Sequence, residues 1–389
     1  MPQHHPTPSM RAPRRRPTPR RSGLALTLAA ATLLVSACGG SSDSGSTPTA
    51  TQPTYDTAAV TAGAAWLSDQ VTHGVVHNDQ YGIDDYGLSA DVALALHDVD
   101  AEPDTVQAVS DQLAEHVKDY TSPGYGTVTS AGSTAKAAVL AQDVGADPTS
   151  YGGQDLVAQL ESTVAERGPV KGRIQDALDT KVKSAADYAN VVGQAYAVMA
   201  LDAAGSDRAG DATSFLVSQQ CSGGWFRLDF TKDTGAADQS CDGDKTSKPD
   251  IDATAFAVRA LSAVDSPDVS SHVDSAVAWL EKQQASDGSF GAETPNSNST
   301  GLAGTVLAGA GETAAAGKAA GWVFQHQVAD CPQADRSDVG AIAYDDAALQ
   351  AAEKKGITTK TSDQFRRASS EALPVLQWLP SDTGKAGSC

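Results

Sequence analysis

The chain has 389 residues, a formal charge of −20 at neutral pH and only 5% aromatic residues. So acidic a surface repels nucleic acid and anionic lipid headgroups, and neither is expected as a direct partner. The six arginines of residues 1–37 are opposed by no acid, so the remainder is six units more negative still.

Residues 1–37 read as an export signal. Arg11, Arg14, Arg15, Arg16, Arg20 and Arg21 precede a short apolar run, Leu24 to Ala37. That run is shorter than the ~20 residues needed to span a bilayer. It ends Val35-Ser36-Ala37-Cys38-Gly39, which resembles the lipobox of bacterial lipoproteins. The resemblance implies cleavage before Cys38 and transfer of diacylglycerol to its thiol. An ordinary signal peptide cut near Ala37 is the alternative, and the residues after Arg20-Arg21 fit twin-arginine export poorly. Residues 38–55 are rich in Ser, Thr, Gly and Pro, lack apolar periodicity, and read as a lipidated flexible tether. The expected location is the extracytoplasmic face of the cell membrane, held by the lipid. A folded domain is expected over residues 56–380, with residues 381–389 as a tail.

The domain alternates two kinds of helix. The first kind shows one wet face: Val273, Ala276, Val277 and Leu280 share a stripe, with Asp274, Glu281 and Lys282 elsewhere. In chain order this kind is marked by Trp66-Leu67 before Gln70, by Val106 to Lys118, by Asp155 to Val164, and by Phe215-Leu216 before Gln219-Gln220. Trp279-Leu280 before Gln283-Gln284 and Trp322-Val323 before Gln327 complete the set. The second kind is apolar nearly all round and is expected to begin near Asp85, Ser133, Val191, Asp252, Ser299 and Asp338, with Gln364 to Leu379 as a closing helix. It repeats openly: Gln194-Ala195-Tyr196-Ala197-Val198-Met199-Ala200-Leu201 aligns with Thr254-Ala255-Phe256-Ala257-Val258-Arg259-Ala260-Leu261, and more loosely with residues 300–307. Alternating wet and dry helices predict an all-α fold, an α/α toroid of six helical hairpins in two concentric rings whose ends must meet.

Four cysteines follow Cys38, namely Cys221, Cys241, Cys331 and Cys389. An even number in an oxidising compartment predicts two disulfides. Of the three pairings, Cys221–Cys241 with Cys331–Cys389 is preferred; it staples an Asp- and Gly-rich loop and ties down the tail.

Gln219-Gln220-Cys221-Ser222-Gly223-Gly224-Trp225-Phe226 and Gln283-Gln284-Ala285-Ser286-Asp287-Gly288-Ser289-Phe290-Gly291 resemble the Gln…Gly-aromatic repeats of the squalene-cyclase and prenyltransferase superfamily. Glycine permits a sharp exit from the outer helix, and the aromatic can wedge against the next hairpin. The resemblance implies the toroid over nearly the whole domain. It does not by itself imply one activity, since the superfamily includes triterpene cyclases, zinc prenyltransferases, cobalamin carriers and thioester domains.

Each chemistry meets the residues differently. Asp250-Ile251-Asp252-Ala253-Thr254-Ala255 is similar to the Asp-x-Asp-Asp-Thr-Ala motif of squalene–hopene cyclases, with Asp252 in the proton donor's place and Ala253 where the last acid belongs. Scarce aromatics leave little to hold a carbocation, so Asp252 is expected to cap its helix instead. No Asp-x-Cys opens an inner helix, as zinc would need, and Cys-Gly-Glu-Gln is absent. His73 and His77 would make a metal pair only on a helix, and Gly74 argues for a loop; His116 and His326 are expected at surfaces or helix contacts. The acids Asp229, Asp233, Asp238, Asp242, Asp244 and Asp250 are a candidate calcium loop, without EF-hand spacing; no cofactor is otherwise expected. Asn298-Ser299-Thr300-Gly301-Leu302-Ala303 resembles inner-helix starts of cobalamin carriers, which add a closing β-rich domain.

If the inner helices all start on one face, their N-termini ring a mouth. The expected ligand-binding set there is Tyr81, Asp84, Asp85, Tyr86, Tyr188, Asn190, Asp250, Asp252, Asn298, Ser299 and Thr300, joined by Ser133, Thr134, Asn296, Asp335 and Asp338. The cavity below is expected to be apolar, lined by Tyr196, Phe256 and Leu302. Two readings follow. One is a tethered, non-catalytic protein binding a small molecule, glycan or envelope protein at the mouth. The other is an enzyme with paired carboxylates drawn from Asp84, Asp85, Asp250 and Asp252, either cyclase-like or glycan-cleaving; the latter needs two acids facing one cleft.

Overall fold

The computed structural model describes residues 55–383 apart from 125, 265 and 331–335, together with residue 386. The export signal, Cys38, the tether to residue 54, Asp335 and the Cys331–Cys389 pair lie outside the described residues. The helices in chain order are α1 (Ala58–Asp69), α2 (Tyr86–Asp98), α3 (Pro103–Glu115), α4 (Val117–Thr121), α5 (Ala131–Asp143), α6 (Leu156–Thr163) and α7 (Val191–Ala203). They continue with α8 (Ala209–Ser218), α9 (Ile251–Ala263), α10 (Pro267–Gln283), α11 (Ser297–Gly309), α12 (Thr313–Gln325), α13 (Asp346–Lys355) and α14 (Ser362–Ala372). Two short antiparallel pairs decorate the loops: β1 (His77–Asn78) with β2 (Ile83–Asp84), and β3 (Thr127–Thr129) with β4 (Ala177–Leu178).

The inner ring runs α2, α5, α7, α9, α11, α14, and α14 packs back on α2. The outer helices α3, α6, α8, α10 and α12 each pack on the inner helix before them, and α1 packs on α14 and α2. The rings are therefore closed, and the fold is an α/α toroid. Composition explains who goes inside. Helix α7 buries Val191, Gly193, Gln194, Ala195, Tyr196, Ala197, Val198, Ala200 and Leu201, nearly its whole circumference. Helix α10 buries only Val269, Ala276, Val277 and Leu280, a single stripe. Small residues let the inner helices approach closely: a Cβ on Gly301 of α11 would fall 2.3 Å from Ala372 Cα of α14.

One arrangement recurs around most of the inner ring. Five begin with a side-chain cap: Asp85, Ser130, Asn190, Asp250 and Asn296 accept the N–H three residues on. Four residues after each cap stands Ser89, Thr134, Gln194, Thr254 or Thr300, all buried. Those of α2, α7, α9 and α11 accept a backbone N–H from the segment leaving the preceding outer helix: Val76 to Ser89 at 2.8 Å, Ile174 to Gln194, Phe226 to Thr254 and Phe290 to Thr300 at 2.9 Å. Ile342 N–H donates likewise to Ser369 Oγ at 2.8 Å. Ser369 lies on α14, which is therefore the sixth inner helix. The expectation of an inner helix beginning at Asp338 is corrected: residues Arg336–Asp338 make one 3-10 turn, and α13 buries only Leu349 and Ala352. Two lysines, a glutamate and an aspartate leave α13 no dry face to offer the ring.

The glutamines of the repeat stitch the outer ring. Gln220 Nε2 donates to His272 O and Gln284 Nε2 to Ala315 O, each at 2.9 Å. Gln327 Nε2 closes the circle on Ala59 O of α1 at 3.0 Å. Beside two of these bonds sit Gly224 and Gly288, with φ of +92° and +98°, where a Cβ would lie 2.6 Å from Ser275 O and 2.3 Å from Lys318 O. Both the backbone angle and the contact demand glycine. Cys221 and Cys241 form a disulfide across the loop before α9. The chain enters on the floor, the face where inner helices end, with Asp56 N–H donating to Leu379 O at 2.9 Å.

Candidate functional site

Caps and local pairs use most of the acids expected at the mouth. Asp84 lies on β2, exposed, 2.7 Å from His77 Nδ1. Asp85 accepts Leu88 N–H at 2.9 Å and binds Arg367 Nη2 at 2.7 Å. Asp250 accepts Ala253 N–H at 2.8 Å, Asn190 accepts Gly193 N–H at 3.0 Å, and Asn296 accepts Ser299 N–H at 2.9 Å. Thr300 belongs to the structural tie already described, and Ser299 is buried beside it. Tyr81 and Tyr188 stand out from the rim, 68% and 74% exposed. Tyr86 instead stacks on the His116 ring, with centroids 5.3 Å apart.

Asp252 differs from all of these. The expectation that it caps α9 is wrong, because Asp250 occupies that position. Asp252 sits two residues further on, and its Oδ1 is shielded from solvent with no hydrogen-bond partner. Burial pushes its carboxyl above the usual carboxylate range, opposed by the Ser299 hydroxyl and reinforced by Asp250.

Helical spacing now selects what points inward. Two residues beyond each buried hydroxyl or amide of the ring stand Asp91, Lys136, Tyr196, Phe256, Leu302 and Glu371, one per inner helix. All but Lys136 line a central well of about 60 Å³, with Leu94, Arg259, Thr305 and Pro374 a turn lower. The cavity below the mouth is therefore lined by Tyr196, Phe256 and Leu302 and has a mostly apolar wall, as expected, with Asp91, Asp98, Arg259 and Glu371 set into it. Lys136 and Tyr196 also line a vestibule of about 230 Å³ with Ser133, Asp176, Tyr188 and Asn190. The two hollows, together the funnel, share Tyr196, and above them Gly132 of α5 and Gly193 of α7 come so close that a Cβ on Gly193 would lie 3.2 Å from Gly132 Cα.

Charge inside the funnel is mostly matched. Lys136 Nζ lies 2.5 Å from Asp91 Oδ1; burial works against the ammonium, but Asp91 outweighs it and keeps the lysine protonated. Asn298 Nδ2 donates to Glu371 Oε2 at 2.7 Å. Burial, with Asp91 and Asp252 nearby, nonetheless pushes the Glu371 carboxyl to about 7. The floor is an Arg259–Asp98 pair, bidentate at 2.8 and 2.9 Å. Helices α2 and α9 stand opposite each other in the ring, so this pair bars the central hole. Glycosidic or polyprenyl substrates would need a cleft of some hundreds of Å³; the well offers far less.

The acidic loop holds a larger hollow of about 760 Å³ lined by Arg227, Lys232, Lys248, Asp229 and Asp244 among others. Its acids serve their own turns: Asp233 accepts Gly235 N–H, Asp238 accepts Ser240 N–H and Asp244 accepts Thr246 N–H, all at 2.9 Å. Among the described residues no three His, Cys, Asp or Glu side chains are placed to hold a metal, so the candidate calcium loop does not form a cage. His73 sits in a turn with φ +54°, and His77 pairs with Asp84 rather than with a second histidine. His326 is buried against Trp322, ring centroids 3.6 Å apart.

Asp91, Lys136, Asp98 and Glu371 were not among the residues expected from sequence. Their signal was partly there: Asp91 and Lys136 are charges within otherwise dry stretches of helix, and Asp91, Lys136 and Glu371 sit at a fixed offset from the repeat's hydroxyl.

The fold is shared with known proteins. The type II terpene cyclase MstE from Scytonema matches with a TM-score of 0.57 at 16% identity, over 82% of this chain and 96% of that one. A protein from Actinoplanes matches with a TM-score of 0.55 at 18% identity, over 82% and 98%. A glycosidase matches with a TM-score of 0.52 at 12% identity, over 83% and 97%. No family model matches, and no curated protein matches by sequence. The chain has an α/α-toroid architecture in common with these solved structures. At these identities the likeness concerns the fold alone.

Proposed function

We propose that the protein is a lipid-anchored, extracytoplasmic α/α toroid that binds a ligand in the funnel at its mouth, and that its work is capture rather than turnover. The carrying observation is the pair of hollows at the mouth end, a vestibule of about 230 Å³ and a barred well of about 60 Å³, with Tyr196 in the wall of both. Three of the four candidate catalytic acids, Asp84, Asp85 and Asp250, are occupied by a histidine, an arginine or helix N–H groups. No pair of them is left to work on opposite sides of a substrate. The lipobox of Cys38 and the Cys221–Cys241 disulfide support an oxidising, envelope location. A native mass spectrum of the purified chain tests the reading. A stoichiometric small molecule, lost when Tyr188 and Asn190 are both changed to Ala, is expected; ligand retained by that variant counts against the funnel.

A second reading has one observation in its favour. Asp252 keeps a buried carboxyl with a bare oxygen and a raised pKa, the condition of a general acid. Turnover of a co-purified ligand, abolished in Asp252→Asn with folding intact, would replace capture by catalysis.

A further inference from the structure

The vestibule gathers tyrosines. Of nine in the chain, Tyr120, Tyr188 and Tyr196 line this one hollow of about 230 Å³. Beside them stand polar groups with bonds to spare. Asn190 Oδ1 accepts Gly193 N–H at 3.0 Å, while its Nδ2 has no partner among the described residues. Lys136 gives one of its three N–H groups to Asp91 at 2.5 Å. Asp176 accepts Ala131 N–H at 2.8 Å on one oxygen and Tyr188 N–H at 2.9 Å on the other. Each of those oxygens keeps a second lone pair. Tyr188 is 74% exposed, so its ring stands at the lip.

These features select a guest by its hydrogen-bonding pattern. Asp91 already neutralises Lys136, and Asp176 would oppose an anion, while a cation would meet Lys136. An alkyl chain would strip water from Lys136, Asp176 and Asn190 without replacing its bonds. A polyhydroxyl ring does better, because each hydroxyl both donates and accepts. It can satisfy the N–H groups of Lys136 and Asn190 and the oxygens of Asp176 together, with its C–H face laid on a tyrosine ring. The volume corresponds to roughly eight waters, room for one such ring. We propose that the vestibule is a carbohydrate site that takes one neutral pyranose ring, either a free sugar or the end of a glycan. This deepens the funnel reading and rests on it.

Ligand-observed NMR titration of the purified full chain with the methyl pyranosides of glucose, mannose, galactose and N-acetylglucosamine tests it. Cyclohexanol and sodium glucuronate are titrated in parallel. Saturable binding of at least one neutral pyranoside is expected, weakened about tenfold or more in Tyr188→Ala and in Asn190→Asp. The second variant keeps the oxygen that caps α7 and removes only the amide donor; thermal unfolding of both is recorded alongside. Cyclohexanol binding as tightly as the sugars would overturn hydroxyl recognition, and glucuronate binding more tightly than every neutral sugar would overturn the neutral class. Pyranoside binding unchanged in both variants would place the sugar outside the vestibule and overturn the proposal. Maltotriose and chitotriose identify the source: tighter binding than the matching methyl pyranoside points to a glycan end, equal binding to a free sugar, and either upholds the proposal. Failure of every sugar, with a stoichiometric molecule still seen by native mass spectrometry, would refute the carbohydrate class alone. Failure of both would remove the funnel too.

Discussion

Asp250 and Asp252 are two residues apart and have opposite fates. Asp250 Oδ1 accepts the Ala253 N–H and so stabilises the first turn of α9; Asp250→Ala is expected to cost about 1 kcal/mol in chemical denaturation. Asp252 makes no such bond, and Asp252→Ala should leave stability unchanged or higher at neutral pH, because it removes a buried carboxyl. Equal losses for the two would show that the cap is shared. Glu371 gives a pH signature. Its carboxyl moves from the ordinary 4.5 to about 7, so the folded state binds the proton more tightly than the unfolded state does. Its contribution is fully present below pH 4.5 and is lost as pH rises through 7, by at most about 3 kcal/mol. Denaturation of wild type and Glu371→Gln at the two ends of this window should show the difference between them shrinking or reversing as pH rises. A constant difference would mean that Glu371 titrates normally.

The outer helices depend on how closely one hairpin seats on the next. Gly288 has a positive φ and would place a Cβ 2.3 Å from the Lys318 carbonyl, whereas Gly311, with φ +92°, has nothing within 4 Å. Both Ala substitutions carry backbone strain of order 1 kcal/mol. Gly288→Ala should lose a further 1–3 kcal/mol by overpacking the seam, measured as the difference between the two variants in thermal or urea unfolding. Similar losses would show that the seam relaxes freely. Element identity was legible where periodicity was strong, as in α7, α9 and α10. It failed at α13, and the closing helix expected over Gln364 to Leu379 is there as α14 with a 3-10 stretch after it, but as the sixth inner helix. The wet composition of residues 346–355 should have excluded that stretch from the inner ring. Residues 362–372 carry several polar side chains, and only the tie from Ile342 to Ser369 reveals their place.

Closure gives the molecule two unlike faces. The mouth carries Tyr81 and Tyr188, both exposed, while the chain enters at Tyr55 on the floor, bridged to Pro380. Cys38→Ser is expected to move the protein from the membrane fraction to the soluble fraction without changing ligand capture; retention in the membrane would refute the lipid anchor. No helix among the described residues is long and apolar enough to cross a bilayer, so nothing seen there would substitute for the anchor.

Periodicity and the Gln…Gly-aromatic repeat were enough to establish a closed double ring of helices, because dry helices of such length can be satisfied only by neighbours on every side. They also located the mouth, since capping residues mark helix N-termini by local chemistry. The interior was another matter. Whether Asp91 meets Lys136, whether Arg259 reaches Asp98 across the ring, and whether Asp252 finds any partner depend on distances between helices far apart in the chain. Local sequence carries the charges; only the closed ring sets which of them are neutralised and which are not.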